Sequence, residues 1–221
     1  MDGSGRWAER NGVSVADGHR AGTRALRRTV EAAIDLGIEA LAVYAFSTEN
    51  WSRPADEVAD LMELLSETID GELPDLAKQG VRTRFVGRRD RVEGWLGDKM
   101  RALEGETAHL DTLALWIAFD YGGRAELTHA ARELVREGLE PDDVDEDALA
   151  ARLYAPELAD IDLLVRTSGE LRLSNFMLWE AAYAELVFTE TFWPDFGEAD
   201  LRAAVEAYAA RRRRFGARAA R

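Results

Sequence analysis

The sequence predicts an α/β fold in which an open, mostly parallel sheet is flanked by helices. Short apolar runs without polar alternation recur along the chain, as is typical of strands that are buried on both faces. Segments with apolar residues at helical spacing separate these runs. The chain has 221 residues, 47% of them hydrophobic, which is enough for a single domain with one sizeable core.

The first predicted elements alternate between helix and strand. Residues 18–36 carry apolar side chains on one helical face and are followed by Gly37, so they predict a helix. The uninterrupted apolar run 40–46 predicts a buried strand. Pro54 opens a second helix, in which apolar residues recur at helical spacing over residues 58–69.

Three more strands are predicted at residues 83–86, 113–119 and 161–165, with helical patterns between them. The acidic run 140–147 predicts a solvated loop and a helix start rather than a metal site, because clustered carboxylates favour N-terminal helical turns and repel one another elsewhere. A last amphipathic helix runs into a cluster of four arginines at 211–214.

The charge of the chain limits its partners. Its 42 acidic and 28 basic residues give a net charge of −14, so nucleic acid is not an expected partner. The chain has no cysteine, which excludes disulfides and thiolate metal sites and fits a reducing compartment. Its basic residues are 26 arginines and two lysines, and arginine is suited to forked recognition of phosphate. A local anion site is therefore compatible with the acidic surface.

Three segments carry polar side chains where α/β proteins bind ligands. Residues 1–7 combine two glycines with Arg6, which favours a phosphate loop, although a simple glycine turn explains the glycines equally well. Residues 46–54 combine hydroxyl, carboxylate, amide, indole and guanidinium groups, of which helix capping explains only a part. Residues 166–176 hold two arginines able to bind a diphosphate, and the alternative is a structural pair of arginine with Glu170.

The order of these segments resembles one protein family. The sequence is similar, over almost the whole chain, to the cis-prenyltransferase family of the undecaprenyl diphosphate synthase type. The matching segments are residues 1–8 (MDGSGRWA), 18–22 (GHRAG), 44–54 (YAFSTENWSRP), 121–124 (YGGR), 166–176 (RTSGELRLSNF), 179–188 (WEAAYAELVF) and 193–196 (WPDF). Several long motifs in one order make coincidence very improbable.

The resemblance implies a hydrophobic product tunnel and a transferase activity. Such an enzyme joins isopentenyl diphosphate to an allylic diphosphate of the farnesyl or geranylgeranyl type and uses Mg²⁺. The product is a Z-polyprenyl diphosphate, a lipid carrier precursor for glycan synthesis. The tunnel is expected between the helix 58–69 and the strand 113–119. The resemblance also implies a homodimer in the cytoplasm, with peripheral membrane contact for product release.

The same resemblance assigns roles to individual residues. Asp2 matches a catalytic aspartate and, with Glu185, the ligands of the metal, and Asn50 matches a residue that helps to remove a proton from isopentenyl diphosphate. The allylic diphosphate site matches Gly3, Ser4, Gly5, Arg6, Trp7 and His19. The surroundings of Asn50 match Ser47, Thr48, Glu49, Trp51 and Arg53. The isopentenyl diphosphate site matches Arg166, Arg172, Leu173 and Ser174. A motif that completes the neighbouring subunit's site matches Arg214, Phe215 and Gly216.

The sequence departs from the family pattern at several positions. Ser4 stands where an asparagine is usual, and Val15 stands where many members carry an arginine for the allylic diphosphate. Trp116, Phe119 and Asp120 stand where smaller or amide residues are common, and we expect them to add bulk to the tunnel wall and to limit product length. In the family an apolar strand precedes the loop that begins here at Met1, so we expect an upstream segment that supplies this strand.

Two alternative functions remain open on the sequence alone. A catalytically silent partner subunit of the same fold would be expected to lack the metal and proton-transfer groups, whereas Asp2, Asn50 and Glu185 are all present. A short-chain or non-head-to-tail prenyl coupling is supported only by Val15 and Trp116.

Overall fold

The computed structural model of the protein describes residues 1–211. The helices are α1 (Ser4–Asn11), α2 (Val15–Asp35), α3 (Ala55–Ala77), α4 (Gly94–Glu106), α5 (Gly123–Glu137), α6 (Glu146–Ala150) and α7 (Glu198–Ala209). The strands are β1 (Ala40–Ser47), β2 (Val81–Val86), β3 (Leu113–Tyr121), β4 (Leu163–Arg166) and β5 (Glu185–Phe188). Short 3₁₀ turns at Thr48–Ser52, Pro141–Asp143 and Trp193–Asp195 connect them.

The strands form two parallel sheets. The larger has the order β1-β3-β2, and the smaller pairs β4 with β5. In the larger sheet, Val43 and Phe85 flank Ile117 from its two sides. Strands and helices largely alternate along the chain, so the predicted α/β class is confirmed, and each predicted strand and helix overlaps an element of the structure.

Alternate side chains of β3 enter two apolar layers, one on each face of the sheet. Leu115, Ile117 and Phe119 enter the larger layer, to which α2, α3 and α4 contribute. Trp116 and Ala118 enter the smaller layer. β3 is therefore buried along nearly its whole length.

β1 and β4 each have one unpaired edge within residues 1–211. Both strands contribute to the same two layers, because Val43 and Val165 contact the larger layer while Tyr44 and Leu164 contact the smaller one. The two strands line one common cavity. As a consequence β1 is much less buried than β3, although its sequence is similarly apolar.

The structure differs from the sequence predictions at three places. Residues 1–7 do not form a loop throughout, because α1 begins directly after Gly3 and buries Ala8. The sequence pattern does not predict β5, since its four residues are too short a run to stand out. Of the three residues expected to add bulk to the tunnel wall, Phe119 lines the cavity, whereas Trp116 enters the smaller layer and Asp120 is buried off the cavity wall.

The acidic run and the last helix agree with their predictions. Asp145 caps α6 by accepting a hydrogen bond from the backbone N–H of Ala148 at 2.7 Å.

The motif at residues 214–216 lies outside the described part of the chain. Among the described helices, none combines the length and apolar character that crossing a bilayer requires.

Candidate active site

A cavity of about 1540 Å³ runs along β1 and β4 and reaches the loops at their carboxyl ends. Its polar end is lined by the chain start and by the loops that follow these two strands, as is usual for α/β proteins. Its apolar end is lined by side chains of α2, α3 and β3, namely Leu26, Leu61, Leu65, Ile117 and Phe119. The volume exceeds the roughly 300–1,000 Å³ of an ordinary small-molecule site.

The chain start is fastened to the end of β4. The backbone N–H of Asp2 donates to the Thr167 hydroxyl at 2.9 Å, and that hydroxyl donates to the Asp2 carbonyl at 2.9 Å. Gly3 has a φ of 105°, and a β-carbon there would lie 2.9 Å from the Phe192 ring. Glycine is therefore required at this position by both its backbone conformation and its surroundings.

The Asp2 carboxylate lies between two guanidinium groups at the polar end of the cavity. Arg166 donates to it at 2.9 Å, and Arg6 lies 3.6 Å away. Burial alone would raise the pKa of Asp2, but the hydrogen bond and charge of Arg166, together with the charge of Arg6, outweigh burial and lower the pKa below its usual value. Asp2 is therefore ionised at neutral pH.

Each of these arginines is oriented by further oxygens. Arg6 donates to the Ser168 hydroxyl at 2.6 Å and pairs with Glu170 at 3.3 Å. Arg166 is nearly buried, with 12% of its side chain exposed, and donates to the Ser174 hydroxyl at 2.7 Å. A diphosphate arriving at this end would meet guanidinium donors that already have fixed orientations.

The loop after β1 forms the opposite side of the polar end. The backbone N–H of Ser47 donates to Asn50 Oδ1 at 2.8 Å, so this oxygen closes the 3₁₀ turn. The Asn50 side-chain amide nitrogen is thus the group of this carboxamide that can donate to a substrate. Arg53 lines the cavity and pairs with Glu57 at 2.7 Å.

His19 of α2 lines the cavity between the two polar loops. Burial and the charge of Arg53 lower the pKa of His19 below its usual value. The imidazole is therefore neutral at pH 7 and can donate or accept one hydrogen bond through each ring nitrogen.

The structure brings most of the predicted site residues to the cavity wall. These are Asp2, Gly3, Ser4, Gly5, Arg6, His19, Ser47, Glu49, Asn50, Arg53, Arg166, Leu173 and Ser174. Val15, the departure expected to alter the allylic site, lies there as well.

Five predicted residues lie off the cavity wall. Trp7 donates to Asp195 at 2.7 Å, and the Thr48 hydroxyl donates to Glu49 at 3.1 Å. Arg172 pairs with Glu170, which is the structural pairing considered from the sequence. The other two are Trp51 and Glu185.

Trp51 belongs to a buried network rather than to the cavity wall. Its indole N–H donates to Asp120 at 2.8 Å, and the guanidinium of Arg91 lies 5.2 Å from its ring centre. Arg91 also donates through Nε to Asp120 at 3.0 Å. Asp120 is fully buried and has a left-handed φ of 47°. We expect this network to hold the loop after β1 in place.

Glu185 does not join Asp2. It begins β5 and lies opposite Leu163 at the amino end of β4, whereas Asp2 contacts Arg166 and Thr167 at the carboxyl end. Three residues of strand separate these ends by about 10 Å. Glu185 pairs instead with Arg211. Within one chain, Glu185 therefore lies near the end of β4 opposite to that which holds Asp2.

Sequence reasoning missed the structural roles of three residues that organise the site. They are Arg91, Asp120 and Asn175. Asn175 follows Ser174 within the segment 166–176, and Asp120 directly precedes the Tyr121 motif, so their positions were visible although their roles were not. Arg91 follows β2 and carried no signal. Of the five non-glycine residues with positive φ in the described chain, those at 168, 174, 175 and 177 lie in the loop after β4, and residue 120 lies at the carboxyl end of β3.

The donor set around Asp2 fits a metal that substrate phosphates help to bind. No group of three or more histidine, aspartate or glutamate side chains in residues 1–211 could hold a metal ion by itself. Mg²⁺ is commonly held by one or two carboxylates together with phosphate oxygens and water. The ionised carboxylate of Asp2, partly exposed toward the cavity, suits that arrangement.

The fold and the site together define an α/β enzyme whose substrates carry an anionic group and an apolar tail. The arginines and Asp2 lie at one end of the cavity, and its aliphatic and aromatic walls extend away from them.

Comparison with known proteins identifies the family. Residues 1–216 match the Prenyltransf family, described as undecaprenyl diphosphate synthase. The chain is 48% identical over 220 residues to a ditrans,polycis-undecaprenyl-diphosphate synthase, (2E,6E)-farnesyl-diphosphate specific, from Salmonella typhi, covering 98% of this chain and 87% of that protein. The chain therefore belongs to the undecaprenyl diphosphate synthase family of cis-prenyltransferases.

Solved structures agree with this family. Lavandulyl diphosphate synthase from Lavandula x intermedia, in complex with dimethylallyl diphosphate, superposes with a TM-score of 0.93 at 34% identity, covering 98% of this chain and 95% of that chain. A probable undecaprenyl diphosphate synthase from Campylobacter jejuni superposes with a TM-score of 0.81, also at 34% identity, covering 89% of this chain and 92% of that chain.

Proposed function

We propose that the protein condenses isopentenyl diphosphate with an allylic diphosphate of the farnesyl or geranylgeranyl type to give a Z-polyprenyl diphosphate, the precursor of a lipid carrier for glycan synthesis. The observation that carries this proposal is the position of Asp2, Arg6 and Arg166 at one end of a cavity whose other end is apolar. The polar end matches two diphosphates, and the apolar end matches a growing hydrocarbon chain.

The residues of the site would act mainly by positioning and by electrostatics. Arg6 would bind the allylic diphosphate, and Arg166 with Ser174 would bind isopentenyl diphosphate. The allylic C–O bond breaks as diphosphate departs, the new C–C bond forms, and one proton leaves the isopentenyl unit. Fixed guanidinium groups stabilise the charge that develops on the departing diphosphate. Asn50 would orient the isopentenyl unit through its amide N–H.

Mg²⁺ is the metal that we propose for Asp2. When bound, it would neutralise diphosphate charge and so ease cleavage of the C–O bond. Asp2 would supply one carboxylate ligand, and the substrate phosphates the others. We propose that Glu185 contributes from a second subunit, since in its own chain it faces the end of β4 opposite to that which holds Asp2.

The cavity walls would hold the product chain. Leu61 and Leu65 of α3 face Ile117 and Phe119 of β3 across the apolar end, where the resemblance places the tunnel. Burial of hydrocarbon stabilises by about 25 cal/mol per Å² of apolar surface, which favours elongation into this space.

The activity can be tested directly with radiolabelled isopentenyl diphosphate. We expect label to enter long, organic-soluble chains when farnesyl or geranylgeranyl diphosphate and Mg²⁺ are present, and a chelator to abolish incorporation. Absence of incorporation with every starter would contradict the proposal and favour the silent-subunit alternative. Dimethylallyl diphosphate is included because the lavandulyl diphosphate synthase structure contains it. Short products formed from it alone would favour the second alternative.

We propose a homodimer in the cytoplasm with peripheral membrane contact. The support is the resemblance at residues 214–216 and the lipid character of the proposed product. Light scattering of the purified protein would measure the mass in solution, and a monomer at assay concentration would contradict the dimer. Sedimentation with lipid vesicles would test the membrane contact.

A further inference from the structure

Asn175 connects three loops at the polar end of the cavity. Its side-chain amide donates to Glu49 Oε1 at 2.8 Å, which lies in the loop after β1. Its Oδ1 accepts from the backbone N–H of Arg124 at 2.8 Å, and its carbonyl accepts from that of Gly123 at 2.8 Å, both in the first turn of α5. Asn175 itself belongs to the loop after β4.

These contacts require asparagine in particular. The φ of Asn175 is 65°, in the left-handed region that asparagine, aspartate and glycine tolerate best. Among these three, asparagine alone has both a donor and an acceptor on its side chain when ionisable groups are charged, and this site uses both. A β-carbon at Gly122 would lie 2.7 Å from the Asn175 amide nitrogen. Glycine at residue 122 therefore lets the turn after β3 come close to Asn175.

The partners of Asn175 adjoin groups that the proposed reaction needs. Glu49 precedes Asn50, and Ser174 precedes Asn175 and accepts from Arg166. Burial raises the pKa of Glu49, but hydrogen bonds from Asn175 and Thr48 outweigh burial and leave the pKa below its usual value. Glu49 is therefore an ionised acceptor, and the bond from Asn175 to it is charge-assisted.

We propose that Asn175 is a positioning residue that holds the Asn50 loop in register with Arg166 and Ser174. This inference rests on the proposed function, because it assigns the aligned groups to isopentenyl diphosphate. The asparagine does not contact the reacting atoms in this assignment, and its effect comes through Glu49 and α5.

The test reverses the donor and the acceptor of the hydrogen bond between Asn175 and Glu49. In Asn175→Asp, two carboxylates face each other, and we expect kcat/KM for isopentenyl diphosphate to fall by about 100-fold, as small misplacements of reacting groups can cause. The KM for the allylic diphosphate should stay unchanged. Adding Glu49→Gln places an amide donor opposite the new carboxylate, so the double variant should recover most of the loss.

Two controls separate positioning from folding and from charge. Gln79→Glu adds the same charge at an exposed residue after α3 and should leave all constants unchanged. Asn175→Gly keeps the backbone conformation but lacks both side-chain bonds, and Glu49→Gln should not rescue it. Loss of kcat/KM in proportion to a lowered melting temperature, without rescue in the double variant, would overturn the proposal.

Hydrogen exchange gives a readout that does not need activity. Backbone amides at 48–53 and 123–126 should exchange faster in Asn175→Asp and return to the wild-type rate in the double variant. If the exchange rates change in this way but the wild type incorporates no isopentenyl diphosphate, the proposed function is wrong. The positioning of the loop after β1 by Asn175 is then still supported. Unchanged exchange in Asn175→Asp would overturn the positioning role.

Discussion

Asp2 and Glu126 are carboxyl groups whose pKa values move in opposite directions. Asp2 lies between Arg166 and Arg6, and its pKa is lowered. Glu126 is fully buried and accepts from the Tyr121 hydroxyl and from the Tyr154 backbone N–H, the latter at 3.0 Å. Burial and the nearby Glu180 raise the pKa of Glu126 to about 7.

The two carboxyl groups differ in role: Asp2 is placed to bind a ligand, and Glu126 is part of the buried structure. Asp2 is kept ionised by guanidinium groups at the edge of a cavity, where a cation or a phosphate can reach it. Glu126 and Glu180 are enclosed on the side of the sheet that carries the smaller layer, near Tyr121, and burial favours their protonated forms. A shifted pKa alone therefore does not mark the active site in this protein; access to the cavity does.

The largest expected effect comes from Asp2→Asn. Removing this charge leaves Arg166 without its anionic partner and removes the proposed metal ligand, so we expect kcat to fall by about 100- to 1,000-fold. The free energy of unfolding at pH 7 should fall by about 1 kcal/mol, because the Asp2 carboxylate is partly exposed and Arg166 keeps its hydrogen bond to Ser174. Steady-state kinetics and urea unfolding measure the two effects.

Asp98→Asn is the matched control for this change. Asp98 forms a surface pair with Arg101 and has 74% of its side chain exposed, so the same substitution should leave kcat unchanged. A loss of activity in Asp2→Asn no larger than in the control would contradict the assignment of Asp2. Because the pKa of Asp2 is lowered, its stabilising effect is present above the unfolded pKa and is lost only as the pH falls through the folded value, below about pH 4.

Glu126→Gln should change stability with the opposite dependence on pH. In the wild type, the unfolded chain ionises Glu126 near pH 4.5 while the folded chain holds the proton to about pH 7. The contribution of the raised pKa is therefore fully present below pH 4.5 and declines as the pH rises to 7. The loss is about 3 kcal/mol for such a shift, and glutamine, which does not titrate, avoids it.

Urea unfolding of both proteins between pH 4 and 8 measures this difference. We expect the free energy of unfolding of wild type relative to Glu126→Gln to fall between pH 4.5 and 7 and to be constant above pH 7. Activity at pH 7 should be retained, since Glu126 lies off the cavity wall. A difference independent of pH would show that Glu126 is not protonated in the folded protein.

The fold was largely predictable because the spacing of apolar residues along the chain indicates which side chains are buried. The run 113–119 is apolar throughout, and β3 is buried on both faces. The same reasoning could not distinguish β1 from β3, because pairing depends on which strands become neighbours. β5 escaped prediction because four residues carry little periodic signal.

The site was predictable only for residues that belong to recognisable sequence motifs. Asp2, Arg6 and Arg166 converge as the resemblance implied. The sequence could not show where Glu185 lies relative to Asp2 within one chain, since strand register decides which end of β4 it faces. Asn175 was missed because its role depends on loops from three strands, and such convergence is a property of the tertiary structure.

The smallest expected effect comes from Glu180→Gln, which tests whether the two buried glutamates interact. Both carboxyl oxygens of Glu180 are buried and accept no hydrogen bond from another residue within the described chain. Glu180→Gln removes a nearby carboxyl charge, so the pKa of Glu126 should move down toward its usual value, and stability at pH 8 should rise by about 1 kcal/mol. Urea unfolding of the two single variants and the double variant measures the coupling. Strictly additive effects would mean that the two carboxyl groups do not interact.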